Sequence, residues 1–520
     1  MISRLSIALT LLSSVTALAA GVVTTDKGPV SGTASADSKI HIFKGIPYAA
    51  PPVGDLRWKA PQQAASWNTT LQATEFGPRC MQGPIYSDMI FRDKGPSENC
   101  LHLNVWTPAA SANAHLPVMV WIYGGGFAAG ATSEPRQDGE NLAHKGVVVV
   151  SMNYRLGIFG FFTHPDLAKE SGHNSTGNYG LMDQAAALEW VKKNIAAFGG
   201  DPEKVTIFGE SAGSMSVSAL MASPLSKDLF RSAIGESGSL LGGLQKAPTL
   251  QETEAANVKF AKEDLGTDSL QELRAKPAEE LMQAVMKNRR GGRFSATVDG
   301  YFLPESVRDI FAGGRQAHVP LLAGWNTDEG SYHTVFGKEK PSLELYYAWM
   351  AKRFGDDAKA ALAVYPAADD AATKRTAGDL AGDQFIAFST WRWIEMHLAT
   401  GQSKVFRYHF EDPTPLEPGE TESRGAYHSS DISFVFKTQR KDLAWRAGDK
   451  KLSDQMATYW SNFAKTGDPN GPGSVPDLPK WPAYSVEDNY QVMHLNVPPH
   501  AAPTGNRARY QFLETWSAKQ

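Results

Sequence analysis

The segment Phe198-Gly-Gly-Asp-Pro-Glu-Lys-Val-Thr-Ile-Phe-Gly-Glu-Ser-Ala-Gly213 constrains this chain more than any other. It reads as a helix end, a tight Gly-Gly-Asp-Pro turn, a short apolar strand over Val205–Phe208, and then Gly209-Glu-Ser-Ala-Gly213. A Gly-x-Ser-x-Gly pattern alone is a weak signal in a chain with 47 glycines, so the flanking residues decide its meaning. Val205 to Phe208 is β-branched and aromatic, as a buried strand requires. Met215 to Leu220 runs on without Gly or Pro, as a following helix requires. A serine on the sharp turn between such a strand and helix is forced into a strained, exposed conformation, and the two glycines let the flanking elements approach. The pattern therefore proposes acyl transfer through Ser211.

At 520 residues the chain can hold one large α/β domain with insertions or several small domains. A hydrophobic content of 42% with 31 scattered prolines describes a folded protein, not a disordered one. The formal net charge of −4 gives no reason to expect a polyanion-binding surface, so nucleic acid is not an expected partner. The first residues read as a secretory signal. Arg4 is followed by an apolar stretch from Leu5 to Val15, broken only by hydroxyl residues, and Ala17-Leu-Ala19 supplies small residues for cleavage after Ala19. The stretch is too short to span a bilayer comfortably. Residues 1–19 are thus expected to be removed and residues 20–520 to form a single domain, secreted or periplasmic, without a stable membrane anchor. The only two cysteines, Cys80 and Cys100, close a short loop in an exported chain and suggest one disulfide. Asn68-Thr-Thr70 and Asn174-Ser-Thr176 fit the glycosylation sequon and matter only in a eukaryotic host.

After residue 115, apolar runs alternate with helical patterns. Val118–Tyr123, Gly146–Ser151, Val205–Phe208, Pro320–Ala323 and Val405–Phe410 lack polar alternation, as strands buried on both faces do. Leu181 to Ala196 carries Leu181, Ala185, Leu188, Val191 and Ile195 on one helical face, stopped by Phe198–Pro202. Val22 to Trp58 has the Gly/Pro punctuation of short antiparallel edge strands. Residues 246–290 and 340–400 are charged, helical and Ala/Leu-rich, and read as insertions that cap a sheet. No internal repeat or low-complexity linker divides the chain.

Acyl transfer also requires donors for an oxyanion, a base and an acid. Tyr123-Gly-Gly-Gly-Phe127 follows a buried strand, and its glycines let backbone N–H groups face a carbonyl oxygen. A phosphate loop would continue with Lys and Ser/Thr, and this one does not. Ala212, after the serine, supplies a further donor. The partners are expected in the order Ser, Asp/Glu, His. Among 13 histidines, His428 sits on the loop Gly425–Ser430 after the strand Val405–Phe410, His409 lies on that strand, and His333 falls close to the acid candidates. Asp328 and Glu329 are adjacent, and spacing alone leaves both open as the acid.

At this point the chain resembles the type B carboxylesterase and cholinesterase family along nearly all its mature length. The matching landmarks are Phe43-Lys-Gly-Ile-Pro-Tyr48, Cys100-Leu-His-Leu-Asn-Val-Trp106, Trp121-Ile-Tyr-Gly-Gly-Gly-Phe127, Asn153-Tyr-Arg-Leu-Gly157, Gly177-Asn-Tyr-Gly-Leu-Met-Asp-Gln184, the Phe198–Gly213 segment and Asn462-Phe-Ala-Lys-Thr-Gly-Asp-Pro-Asn470. The resemblance implies an α/β-hydrolase fold, with a large, mostly parallel central sheet, helices on both faces and helical insertions over the site. By matching position it implies Ser211 as nucleophile, Glu329 as acid, His428 as base, and Gly125, Gly126 and Ala212 as oxyanion donors. Ser237 matches the family's second serine beside the acid. Arg57 with Glu98, and Arg155 with Asp183, match its buried ion pairs. The expected reaction is hydrolysis of a small-molecule carboxylic ester through an acyl-enzyme, with no cofactor and no metal. Met81 to Asn99 has no tryptophan to hold a quaternary ammonium, so choline esters are not expected unless Tyr86 or Phe91 stands in. Arg289, Arg290 and Arg293 fall where the family has its acyl pocket; they read first as a solvated basic loop, and would favour an anionic acyl group if they line that pocket. The alternatives are a non-catalytic binding protein of cholinesterase type, or a specialised hydrolase for carboxylate-bearing or lipid esters.

Overall fold

The computed structural model describes residues 21–243, 246–288, 294–473 and 476–519. Residues 1–19, read as a signal, lie outside the described residues, as do Arg289, Arg290 and Arg293. An eleven-stranded sheet organises the chain. Its strands are β1 (Thr33–Ala34), β2 (His41–Pro47), β3 (His102–Thr107), β4 (Leu116–Ile122), β5 (Val148–Met152), β6 (Gly200–Glu210), β7 (Ser232–Glu236), β8 (Leu321–Asn326), β9 (Val405–Phe410), β10 (Gln491–Leu495) and β11 (His500–Pro503). Across the sheet they follow the order β11-β10-β9-β8-β7-β6-β4-β5-β3-β2-β1. From β5 to β10 neighbouring strands in that order are parallel. The edges β3, β2, β1 and β11 are antiparallel. The apolar runs form the buried centre: every residue of β5, β7, β8 and β9 is buried. Strands covered on both faces need no polar alternation, which is why they were legible as continuous runs.

Helices lie on both faces, and two adjacent residues of β7 show it. Consecutive side chains on a strand point to opposite sides. A Cβ on Gly235 would meet the Trp393 ring at 2.2 Å. Glu236, next along, accepts a hydrogen bond from Trp460 Nε1 at 2.7 Å. The helix Phe388–Thr400 therefore covers one face and Ala447–Thr466 the other. Part of the 340–400 stretch is thus a layer of the sheet itself, while Leu343–Phe354, Ala358–Val364 and Asp370–Gly382 lie outside it. The 246–290 stretch forms the helices Leu250–Asp264, Leu270–Ala275 and Ala278–Lys287.

One local expectation is corrected. The Gly-Gly-Asp-Pro stretch is not a turn ahead of a short strand. Gly199 ends the preceding helical turn at φ 79°, and β6 begins at Gly200. Gly200 pairs with Leu116 but Val205 with Val118, so the residues between them bulge out of the ladder. The bulge accommodates Pro202, which has no N–H to donate.

Both buried ion pairs form. Arg57 clasps Glu98 through Nε at 2.7 Å and Nη2 at 2.6 Å. Arg155 clasps Asp183 through Nε at 2.8 Å and Nη2 at 2.7 Å. A bond joins Cys80 and Cys100.

Candidate active site

Chain direction brings the expected site residues together. Gly124–Phe127 follows β4, Ser211 follows β6, Ser237 follows β7, Glu329 follows β8 and His428 follows β9. All five strands are parallel, so all five loops emerge at the carboxyl edge of the sheet, where open α/β sheets bind ligands.

Ser211 sits between β6 and the helix Ala212–Ala222 at φ 54° and ψ −120°. This conformation is costly for a residue with a Cβ and persists only where the surroundings enforce it. They do so by close approach. A Cβ on Gly213 would lie 1.9 Å from the Ile122 carbonyl oxygen, and one on Gly209 would lie 2.6 Å from Gly213. The Ser211 N–H donates to the Glu236 carbonyl at 2.8 Å, which ties the turn to β7.

Ser211 Oγ lies 3.0 Å from His428 Nε2. His428 Nδ1 lies 2.6 Å from Glu329 Oε2. A carboxylate only accepts, so in the neutral ring Nδ1 carries the proton and Nε2 offers its lone pair to the hydroxyl. The other carboxylate oxygen, Oε1, accepts from Ser237 Oγ at 2.5 Å and from the Asn326 N–H at 2.8 Å. The ring keeps 27% of its side-chain surface open. Phe385 meets it edge to face, with centroids 5.2 Å apart. Phe385 belongs to a single π-helical turn, Asp383–Ala387, between the helices Asp370–Gly382 and Phe388–Thr400. Such turns recur at functional sites.

The two acid candidates take different positions. Glu329 faces the imidazole. Asp328 instead holds the loop that carries it: the Ala426 N–H donates to Asp328 Oδ2 at 2.9 Å, and the Asp328 N–H donates to the Ala426 carbonyl at 2.9 Å. The remaining histidine candidates are elsewhere. His333 Nδ1 lies 2.7 Å from the Gly337 carbonyl, and His409 faces Glu411.

Gly125 and Gly126 have φ of 104° and 64°, conformations that glycine alone adopts freely. Their N–H groups donate to no acceptor among the described residues. Ala212 opens its helix, so its N–H has no intrahelical acceptor. The disulfide loop reaches over these glycines: an added Cβ on Gly126 would lie 3.2 Å from the Tyr86 hydroxyl, and one on Gly125 3.1 Å from the Met89 methyl. Of the two aromatics considered as cation acceptors, Phe91 is already covered by the Arg79 guanidinium at 4.8 Å.

A serine hydroxyl, an imidazole and a carboxylate in this order can remove the hydroxyl proton as a carbonyl is attacked. The comparisons agree on the chemical class. The model of the carboxylesterase family matches residues 19–513. The chain belongs to the carboxylesterase family. Among its relatives, the fumonisin B1 esterase of Sphingopyxis macrogoltabida is 39% identical over 471 residues, covering 86% of this chain and 82% of the relative. The para-nitrobenzyl esterase of Bacillus subtilis (strain 168) is 36% identical over 484 residues, covering 90% and 93%. A solved PNB esterase structure matches with a TM-score of 0.77 at 34% identity, covering 95% of this chain and 99% of that one. This protein is therefore a carboxylic ester hydrolase of α/β-hydrolase fold.

In this carboxylesterase the electrostatics add a residue that sequence reading missed. Glu210, the residue before Ser211, places Oε1 3.2 Å from His428 Nε2. The motif names Glu210, but nothing in a linear pattern shows that its carboxylate turns back to the ring. Burial pushes the Glu210 carboxyl up to about 8, against the pull of His428 and Arg136. Burial also disfavours a charged His428 ring, but the Glu210 and Glu329 carboxylates outweigh it and raise the imidazole to about 9. Asp431 is raised to about 6 by burial and by the Glu329 charge, and Glu236 well above the usual carboxylate range by burial. Glu210, Glu329 and Asp431 crowd around one ring. Glu210 and His428 consequently titrate as a pair, each setting the charge of the other.

Proposed function

We propose that this carboxylesterase works through an acyl-enzyme on Ser211, with His428 as general base and acid and Glu329 orienting the imidazole. The contact of 3.0 Å between Ser211 Oγ and His428 Nε2, backed by 2.6 Å from Nδ1 to Glu329, carries this reading. His428 takes the hydroxyl proton as Oγ attacks the ester carbonyl. The tetrahedral oxyanion is held by the N–H groups of Gly125, Gly126 and Ala212. His428 then protonates the leaving alcohol, and water repeats the sequence on the acyl-enzyme. Ser237 and the Asn326 N–H keep Glu329 aimed at the ring. The residues responsible for each step come from the chain alone, as one domain over residues 20–520, and the amino-terminal segment 1–19 directs export.

A rapid-mixing experiment with a para-nitrophenyl ester tests this. The protein should release a burst of para-nitrophenol equal to its active-site concentration, then a slower steady phase. Ser211→Ala should show neither. A burst in that variant would overturn the assignment. Rates across short, long, aryl and carboxylate-bearing esters then define the acyl and alcohol preference.

A further inference from the structure

The last strands at one edge of the sheet carry a cluster that the proposed ester cleavage does not use. Trp325 on β8, His409 on β9, His494 on β10 and His500 on β11 pair in register across four adjacent strands. Three imidazoles thus stand in one row. Two residues beyond His409 comes Glu411, and two beyond His494 comes Asn496, so both continue on the same side of the sheet. His409 Nδ1 lies 3.0 Å and His494 Nδ1 2.5 Å from the same oxygen, Glu411 Oε1. Asn496 Nδ2 donates to the other oxygen, Oε2, at 2.9 Å. His500 stacks on the His494 ring with centroids 5.1 Å apart.

We propose that His409, Glu411 and His494 bind a divalent transition-metal ion of the zinc type, which ties β9 to β10 and takes no part in ester cleavage. Two imidazole nitrogens and a carboxylate oxygen are a donor set that zinc accepts, whereas calcium and magnesium take oxygen ligands. The ligand atoms of the three residues all lie within 4.8 Å of one another. Donors around a tetrahedral ion with bonds of ~2.1 Å stand about 3.4 Å apart. Glu411 Oε1 therefore has to withdraw by less than about 1 Å, within reach of its side-chain torsions. Asn496 holds the second oxygen, as outer partners hold ligating carboxylates in metal sites. Binding through Nδ1 would place the ring proton on His494 Nε2, which is buried with no hydrogen-bond partner among the described residues. His500 lies face to face on His494 and outside the convergent group, so water would complete the coordination. The strands are the penultimate pair at one edge of the sheet, where a cross-strand staple resists fraying.

Titration calorimetry of the full chain with zinc chloride at pH 7.5, after treatment with a chelator, tests the proposal. One equivalent per chain should bind. Glu411→Gln and His494→Gln should each weaken binding at least tenfold, since the loss of a ligand or its charge removes much of the affinity. At a hundredfold excess over Kd the unfolding midpoint should rise by about 3 °C. Cobalt(II) on the unaltered protein gives a readout independent of any variant: the intense visible bands of a four- or five-coordinate ion are expected. Absence of saturable zinc binding, unchanged affinity in both variants, or the weak spectrum of hydrated octahedral cobalt would each overturn the site and leave Glu411 as a plain hydrogen-bond acceptor for two imidazoles.

Discussion

At the scale of single residues, the contact between Glu210 and His428 governs how the site responds to pH. Ser211 is activated only by a neutral imidazole, and the raised His428 keeps the ring protonated over a wider range than a free histidine. The acid limb of kcat/KM should therefore have its midpoint above the ordinary 6.5, with activity rising as pH increases through it. Glu210→Gln removes the carboxyl that stabilises the imidazolium within the titrating pair, 3.2 Å from Nε2, so the limb should move to lower pH while the burst persists. A limb that stays in place in that variant would show that Glu210 does not set the ring's charge. Ser211 was singled out in the sequence because a strand-turn-helix serine needs glycine neighbours, and His428 was a candidate by chain order, whereas Glu329 was separated from Asp328 only by the family resemblance. Glu210, Phe385 and the Asp328 clasp were not legible, because each acts through a contact between segments far apart in the chain. The arginines 289, 290 and 293 offer no structural account, since they lie outside the described residues.

At the scale of elements, β6, the Ser211 turn and the following helix form one unit packed through missing side chains. Gly213 allows the helix to sit against the Ile122 carbonyl with no room for a methyl group. Gly213→Ala forces backbone apart from backbone and should cost about 3 kcal/mol of stability, read as a lowered urea midpoint. An unchanged midpoint would mean that the helix can slide, and the close packing invoked for the strained serine would lose its basis. The strand centres were predictable from continuous apolar runs. Their ends were not: β6 reaches back to Gly200 through an irregular bulge that no propensity announces, and β8 runs on to Asn326, past the apolar run, because its neighbours extend with it. The layer formed by Phe388–Thr400 looked like an insertion because its composition matches the helices before it. Only the fit of Trp393 over Gly235 distinguishes it.

For the whole molecule, the disulfide and the expected export signal belong together, since the bond persists in an oxidising compartment. Replacing Cys80 and Cys100 by serine should remove about 3 kcal/mol of stability. The same change loosens the loop that brings Tyr86 and Met89 over Gly125 and Gly126, so KM should rise while the burst survives. A double variant with unaltered KM would show that this loop does not shape substrate binding. The fold class follows from the order of buried runs and helices along the chain, which leaves the parallel sheet as its natural arrangement. What unites these scales is a single reactive hydroxyl, and covalent trapping examines it most directly. The protein exposed to a fluorophosphonate should gain the mass of one adduct, and peptide mapping should place it on Ser211, with His428→Ala abolishing the gain. An adduct on any other residue, or full labelling of the His428→Ala variant, would contradict the account.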